Sequence, residues 1–227
     1  MNIIITGCSK GIGYELVKLM SCENKVFAVS RNILPIEKLK SNSDYSDNII
    51  PLSFDVAQLK QSQFDQLISE NKIDVLINNA GRLINKPFVE ITKSDYDAVM
   101  DTNFFGVVNM IQLSLNKLTN ASGQIINIGS VGGLQGSVKF PGLSMYSSSK
   151  GALSILTECL ALELSELNIK VNCLALGAVQ TEMLGEAFPG YKADISPSEM
   201  ANYIYNFIRN SSKLSNGLNI PVKKTNP

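Results

Sequence analysis

The sequence predicts a single α/β domain, built as a doubly wound parallel sheet with helices on both faces. Short runs of β-branched and aliphatic residues alternate with longer helical patterns along the 227 residues. The first run, Ile3-Ile4-Ile5, is continuously apolar, as is typical of a strand that is buried on both faces. Alternation of strands and helices favours parallel strands joined by crossover helices. We therefore expect one domain over residues 1–227 with a seven-stranded, mainly parallel sheet.

The predicted elements follow one another in a regular order. Strands are expected at residues 2–6, 25–30, 49–54, 75–78, 124–129, 170–175 and 218–222. Helices are expected at residues 12–20, 36–39, 57–69, 94–118, 145–167 and 198–210. Glycine and proline within 183–196 predict a short flexible lid, and residues 223–227 are predicted to be a frayed tail.

The composition restricts the classes of function. Twenty basic and twenty acidic residues give a formal net charge of zero, and no block of like charge stands out. This balance argues against a nucleic-acid groove or an anionic membrane surface as the main partner. The chain contains no histidine, which removes Ser-His-Asp and Cys-His chemistry and most zinc sites, so no metal is expected.

The cysteines and the N-terminal segment indicate the compartment. Cys8, Cys22, Cys159 and Cys173 show no C-x-x-C spacing. The first residues lack the basic and apolar regions of a signal peptide, and no apolar run approaches the ~20 residues that span a bilayer. We expect a soluble, cytoplasmic protein with free thiols.

A glycine-rich turn connects the first predicted strand to the first predicted helix. Residues 6–13 read Thr-Gly-Cys-Ser-Lys-Gly-Ile-Gly. Glycines let backbone amides approach a pyrophosphate, and a helix N-terminus attracts its negative charge. The alternative is a turn that merely permits tight packing, but its position at the first strand–helix junction favours a dinucleotide site. The expected cofactor contacts are Thr6, Gly7, Ser9, Lys10, Gly11, Ile12 and Gly13.

The end of the second predicted strand carries Arg31 and no acidic residue. NAD-selective sites place an acid near this point, to bind the ribose hydroxyls. Arg31 and Lys10 would instead bind a 2′-phosphate, so we expect NADP(H) in preference to NAD(H). The alternative is that both are ordinary surface cations. Asp55 and Val56, after the third strand, are expected near the adenine, although Asp55 could equally cap the following helix.

A second motif places Tyr146 four residues before Lys150, on one face of a predicted helix. A phenol normally loses its proton near pH ~10, and a neighbouring ammonium would lower that pKa. The pair could therefore act as a general acid/base without histidine. The same spacing also occurs by chance in many helices, where it is usually a solvated pair.

Together these motifs resemble the short-chain dehydrogenase/reductase family in its compact single-domain form. The resemblance covers nearly the whole chain. The turn at 6–13 matches the family's cofactor motif, and Asn-Asn-Ala-Gly at 78–81 matches the motif that borders the cofactor. The family's catalytic residues fall, in order, on Asn103, Ser130, Tyr146 and Lys150.

The resemblance implies a Rossmann fold and the NADP(H)-dependent reduction of a carbonyl, or the reverse oxidation. Tyr146 would be the general acid/base, and Ser130 would hold the substrate oxygen. Lys150 would lower the tyrosine pKa and bind the nicotinamide ribose, while Asn103 would hold a water in a proton route. The further cofactor contacts that it implies are Asn79, Ala80, Gly81, Gly177 and Thr181.

Two departures from the family pattern concern the loops. The segment between Ser130 and Tyr146 is longer than is common in the family, which affects the expected shape of the substrate pocket. Leu176 stands where the family usually has proline, which implies a less rigid loop beside the nicotinamide.

The segments expected around the substrate are apolar, which suits a ketone, an aldehyde or an acyl-like compound. The apolar residues are Leu134, Val138, Phe140, Leu143, Met145, Met183, Leu184 and Phe188.

The family resemblance also implies a homodimer or homotetramer, formed through helices 94–118 and 145–167. A different hypothesis is a non-catalytic NADP(H)-binding sensor on the same fold. The presence of all four catalytic-type residues favours the enzyme.

Overall fold

The computed structural model describes residues 1–210 and 214–224. In this part of the chain seven strands form one sheet in the order β3-β2-β1-β4-β5-β6-β7. All neighbouring strands pair in parallel. The chain starts in the middle of the sheet, builds outward to β3, and returns beside β1 to build the other half. The predicted doubly wound Rossmann fold is confirmed.

The elements agree with most of the predicted ones. The strands are β1 (Asn2–Thr6), β2 (Lys25–Ser30), β3 (Ile49–Ser53), β4 (Val75–Asn78), β5 (Gln124–Ser130), β6 (Lys170–Leu176) and β7 (Asn219–Val222). The helices are α1 (Gly11–Met20), α2 (Leu34–Ser41), α3 (Gln61–Leu67), α4 (Lys93–Met100), α5 (Gly106–Thr119), α6 (Ser144–Glu163), α7 (Glu182–Ala187) and α8 (Pro197–Asn210).

Two apolar layers explain the continuous apolar run of β1. Ile3 and Ile5 point to one face of the sheet, where they join the cluster that α1 and α8 cover. Ile4 points to the opposite face and joins the cluster that contains buried residues of α3, α5 and α6. Because side chains alternate along a strand, a strand covered on both faces must be apolar at every position.

The predicted helix at 94–118 is interrupted. α4 ends at Met100, a π-helical turn spans Asp101–Phe105, and α5 begins at Gly106. The side chain of Asn103, in this turn, both donates to and accepts from the backbone of Arg82. These bonds fix Asn103 against the segment after β4, and apolar periodicity alone does not reveal such a widened turn.

The largest other differences from the predictions concern α3, the end of α6 and the lid. The helix expected at 57–69 spans only Gln61–Leu67, because the Asp55 carboxylate accepts from the Ala57 amide and closes a turn there. The helix expected at 145–167 ends at Glu163, and a 3₁₀ turn at Ser165–Leu167 leads to Asn168 in the left-handed region. Within the predicted flexible lid, residues 182–187 form α7, which Thr181 caps through the Leu184 amide.

Residues 225–227 of the predicted tail lie outside the described residues. Within the tail, Lys224 Nζ donates to the carbonyl of Asp194 at 3.1 Å. No helix in the described ranges combines the length and the apolar character needed to cross a membrane.

Candidate active site

A cavity of about 650 Å³ lies along the carboxyl ends of the strands. Ligands of doubly wound folds bind at this edge, where the strand order reverses between β1 and β4. Sixteen of the predicted site residues line the cavity: Gly7, Ser9, Lys10, Gly11, Ile12, Arg31, Asp55, Val56, Asn79, Ala80, Gly81, Ser130, Tyr146, Lys150, Gly177 and Thr181. Three predicted site residues, Thr6, Gly13 and Asn103, are not part of the lining.

The glycine turn is folded tightly over the end of β1. Gly7 and Gly11 adopt positive φ values of 73° and 60°, which side chains disfavour. A Cβ built on Gly13 would collide with the Gly7 carbonyl oxygen. Gly13 therefore lets α1 pack against the turn, and the cavity side of the turn is formed by residues 7 and 9–12.

Thr6 and Asn79 join the ends of β1 and β4. Thr6 is 1% exposed, and its hydroxyl accepts hydrogen bonds from the amides of Asn79 and Ala80, both at 3.0 Å. The Asn79 side-chain amide donates to the carbonyls of Thr6 and Gly7 at 2.9 and 3.1 Å. Thr6, a predicted cofactor contact, supports the turn from beneath the cavity.

The two cations expected at a 2′-phosphate lie at the same end of the cavity. Lys10 Nζ is 3.0 Å from Glu186 Oε1 of α7, and both side chains are largely exposed. Arg31 is exposed, and no ion pair of its guanidinium is found within residues 1–210 and 214–224. Ser30 and Asn32 also line the cavity, and sequence reasoning missed them although they flank Arg31.

Ser130, Tyr146 and Lys150 meet at the other end of the cavity. Ser130 ends β5, and its hydroxyl accepts from the Gly132 amide at 3.2 Å. Tyr146 lies in the first turn of α6 and Lys150 one turn later, so both side chains reach the same wall. Lys150 Nζ lies 5.9 Å from the centroid of the Tyr146 ring.

The pKa of Tyr146 differs in direction from the expectation. Burial raises the pKa of this phenol above its ordinary value, and a hydrogen bond with Ser130 opposes the rise. Desolvation penalises the phenolate more than the Ser130 hydroxyl stabilises it, and the predicted lowering by Lys150 does not contribute to the shift. The phenol therefore keeps its proton at neutral pH, which suits a proton donor.

Lys150 is an almost fully buried ammonium. Its residue is 4% exposed, and Nζ donates to the carbonyl of Ile128 at 2.8 Å. Burial lowers the pKa of Lys150 to about 8, although the nearby Cys173 acts in the opposite direction. The pKa of Lys150 thus lies close to neutral pH, so the amine changes its charge near that pH.

The four cysteines, all in the described part of the chain, are free thiols. Cys8 and Cys173 are buried, while Cys22 and Cys159 are exposed. Burial raises the pKa of Cys173 to about 11, and that of Cys8 still further. The two thiols nearest to the cavity are therefore protonated at neutral pH.

Asn103 lies behind the lining of the cavity. The residue is 0% exposed, and its side-chain amide donates to Ser149 Oγ at 2.9 Å. Ser149 Oγ in turn donates to the carbonyl of Tyr146 at 2.7 Å. With its remaining bonds to the Arg82 backbone, the Asn103 side chain connects the segment after β4 to the start of α6.

The substrate side of the cavity is mainly apolar. Of the eight apolar residues predicted there, Phe140, Leu143, Met183, Leu184 and Phe188 line it, and Leu134, Val138 and Met145 do not. Sequence reasoning missed Leu83, which follows the motif at 78–81, and Tyr191, beyond α7.

The loop after β6 is tied to the last strand. Leu176 extends β6 and pairs in register with Val222, and the Gly177 amide donates to the Val222 carbonyl at 2.9 Å. The absence of the usual proline therefore leaves this loop attached to the sheet, and Gly177 and Thr181 line the cavity.

The fold and the cavity place the chain in the doubly wound α/β class, and comparison with known proteins identifies its family. Residues 1–192 match the model of the short chain dehydrogenase family. The chain belongs to this family.

Individual relatives agree with the family assignment. A chloroplastic tropinone reductase homologue of Arabidopsis thaliana is 32% identical over 191 residues, which cover 81% of this chain and 58% of that protein. Carbonyl reductase (NADPH) 2 of Sus scrofa is 31% identical over 186 residues, 81% of this chain and 73% of the relative. The solved structure of ElxO with NADP bound superposes with a TM-score of 0.83 at 27% identity, covering 97% and 96% of the two chains.

The residues present fit a nicotinamide dinucleotide. Gly7 and Gly11 leave the backbone of the turn accessible at the start of α1, where amides and the helix dipole would stabilise a pyrophosphate. From this turn the cavity continues to Tyr146 and Lys150, so one opening connects the glycine turn to this pair of side chains.

Proposed function

We propose that this protein is an NADP(H)-dependent carbonyl reductase that reduces a ketone, an aldehyde or a 3-oxoacyl-like compound to an alcohol. The observation that carries the proposal is the meeting of Ser130, Tyr146 and Lys150 at one end of a cavity whose other end is a glycine turn. Relatives named as carbonyl reductase and as tropinone reductase homologue support the same reaction class.

In this proposal the nucleotide, when bound, supplies the hydride, and the chain supplies the proton. The Ser130 hydroxyl holds the carbonyl oxygen and stabilises the negative charge that develops on it. Tyr146 gives its phenolic proton to that oxygen as a general acid. Its raised pKa supports the reductive direction, because a protonated phenol is the form needed for donation.

Lys150 and Asn103 have supporting roles in the proposal. Lys150 would bind the nicotinamide ribose hydroxyls, and its ammonium favours the phenolate that remains after proton transfer. Asn103 holds Ser149, and through it the backbone of Tyr146, in place. The side chain of Asn103 is already occupied by protein atoms, so a proton route would have to use its backbone or other groups.

The direct test is a panel of carbonyl compounds in which the loss of NADPH absorbance is followed and the assay is repeated with NADH. Turnover of at least one apolar ketone or aldehyde, with higher kcat/KM for NADPH, is the expected result. Tight NADPH binding without turnover of any compound would favour the non-catalytic sensor. A preference for NADH would contradict the roles assigned to Lys10 and Arg31.

Arg31 is expected to select the 2′-phosphate more strongly than Lys10, because Glu186 already pairs with Lys10. Replacing Arg31 by aspartate should lower kcat/KM for NADPH by about tenfold to a hundredfold, the value of a charge-assisted hydrogen bond. The value for NADH should fall much less or rise. Lys72→Asp, the same charge change at an exposed lysine beside the amino end of β1, is the matched control. Equal losses with both cofactors would contradict the assignment.

We also propose that the protein is a cytoplasmic homo-oligomer. Ile155 and Leu162 are exposed two turns apart on one face of α6, and Phe105 is exposed just before α5. Exposed apolar residues at helical spacing suit association with a second copy through these helices. The free cysteines suit a reducing compartment.

A further inference from the structure

Three segments surround the substrate side of the cavity. They are the segment 82–87 after β4, the loop 134–143 between β5 and α6, and the lid, defined here as residues 182–191. Each contributes apolar side chains to the lining, among them Leu83, Leu143 and Leu184. The shape available to a substrate therefore depends on how these three segments are held relative to one another.

Asn85 contacts both of the other segments. Its side-chain Nδ2 donates to the carbonyl of Ala187, the last residue of α7, at 2.7 Å. Its Oδ1 lies against Gly142, where a built Cβ would collide with it. Gly142 has a positive φ of 84°, and its carbonyl accepts from the Lys86 amide at 3.0 Å. One exposed asparagine thus links the lid, the loop before α6 and its own segment.

The segment that carries Asn85 is itself firmly attached. At its start, the buried Asn103 side chain bonds both the amide and the carbonyl of Arg82, at 2.7 and 2.9 Å. At its end, Lys86 Nζ lies 2.9 Å from Asp95 Oδ2, which also accepts from the Thr92 amide at the start of α4. Asn85 therefore projects from a fixed segment, whereas the lid is a short helix between glycine- and proline-containing turns.

We propose that Asn85 is a positioning residue that holds the lid against the loop before α6 and thereby sets which carbonyl compounds fit the cavity. Asn85 is exposed and does not line the cavity, so it acts through the segments that it joins. The specificity part rests on the proposed carbonyl reductase function. The contact between Asn85 and the lid does not depend on it.

The first arm of the test measures the lid without any substrate. The Gly185 and Phe188 amides donate to the carbonyls of Thr181 and Leu184, at the two ends of α7. Their hydrogen exchange should become about three- to tenfold faster in Asn85→Ala, as expected for the loss of one neutral hydrogen bond. Asn120→Ala is the matched control, since Asn120 is an exposed asparagine whose Nδ2 donates to the Asn71 carbonyl at 3.0 Å. Unchanged lid exchange in Asn85→Ala would overturn the proposal.

The second arm measures selectivity with two ketoesters of different size, ethyl acetoacetate and ethyl benzoylacetate. In Asn85→Ala the KM of the larger ester should change about three- to tenfold relative to that of the smaller ester, by the same loss of lid ordering. The Kd for NADPH should not change. Gly142→Ala, which displaces the Asn85 amide from the other side, should shift the selectivity in the same way. If the lid amides exchange faster but the ratio of the KM values of the two esters is unchanged, the specificity role is overturned.

The two arms separate this inference from the proposed function. If the parent protein reduces neither ester nor any compound of the panel, the carbonyl reductase assignment fails and the specificity role fails with it. The exchange arm still decides whether Asn85 holds the lid.

Discussion

Replacing Tyr146 by phenylalanine should lower the turnover of a carbonyl substrate by about a hundredfold to ten-thousandfold, the usual contribution of a positioned general acid. The substitution removes only the phenolic hydroxyl, so the ring still packs in the first turn of α6. The Kd for NADPH, measured by fluorescence titration, should stay within a fewfold of the parent value. Activity and binding are therefore expected to separate in this variant.

A matched control for this loss is Tyr205→Phe. The Tyr205 hydroxyl donates to Glu23 at 3.0 Å, away from the cavity lining. This variant loses one hydroxyl and one hydrogen bond, as Tyr146→Phe does, and should retain the activity of the parent. Turnover of Tyr146→Phe within tenfold of the parent protein would refute the role of Tyr146 as the acid.

Replacing Lys150 by methionine should abolish the reaction and, at the same time, stabilise the fold. Lys150 is a buried ammonium with one hydrogen bond, to the Ile128 carbonyl. Methionine fills a similar volume without the cost of a desolvated charge, so the free energy of unfolding at pH 7 should rise by about 1–2 kcal/mol. Denaturant-induced unfolding of the protein without added nucleotide measures this change.

The pH dependence of this gain has a definite sign. The pKa of Lys150 is lowered from 10.5 to about 8 in the folded protein. Between these two values the unfolded chain binds more protons, so the stability of the parent protein rises with pH through this window. The advantage of Lys150→Met should thus be largest below about pH 8 and should shrink towards pH 10.5.

Lys117→Met provides the comparison for Lys150→Met. The Lys117 side chain is only 13% exposed, but it lies 3.6 Å from Asp65 and donates to the Glu70 carbonyl at 3.0 Å. Loss of these partners should leave stability unchanged or lower. A Lys150→Met protein that is less stable than the parent at pH 7, or whose advantage grows with pH, would contradict the argument.

The fold could be predicted because most strands are largely apolar and the strands and helices alternate regularly along the chain. Continuous apolar strands such as Ile3-Ile4-Ile5 identify a sheet covered on both faces, and this sets the topology class. The π-helical turn at Asp101–Phe105 could not be predicted, because it depends on bonds between Asn103 and Arg82, which are distant in sequence. The late start of α3 has a local cause, the turn that Asp55 closes. The sequence does not predict this turn, because an aspartate at this position could equally be the N-cap of a helix that begins at Ala57.

The site residues were predicted mainly by motif order, and most of them line one cavity. Motif matching does not distinguish residues that face the cavity from residues that support it. It therefore predicts Thr6 and Gly13 as cofactor contacts and Asn103 as a catalytic residue, although none of the three lines the cavity. The direction of the Tyr146 pKa was missed for a related reason. A four-residue spacing shows that an ammonium is near, but the cost of desolvation depends on packing from other parts of the chain.

The burial of two thiols and the exposure of the other two make this protein suitable for selective chemical labelling. Thiolates attack maleimides, and the reagent has to reach the sulfur atom. At neutral pH it should therefore modify the exposed Cys22 and Cys159 and spare the buried Cys8 and Cys173, whose pKa values are raised by burial. Cys22 follows α1, and Cys159 shares the exposed face of α6 with Ile155 and Leu162. A dye on Cys22 would leave the chemistry untouched, and slow labelling of Cys159 relative to Cys22 would report that the α6 face is covered by another copy.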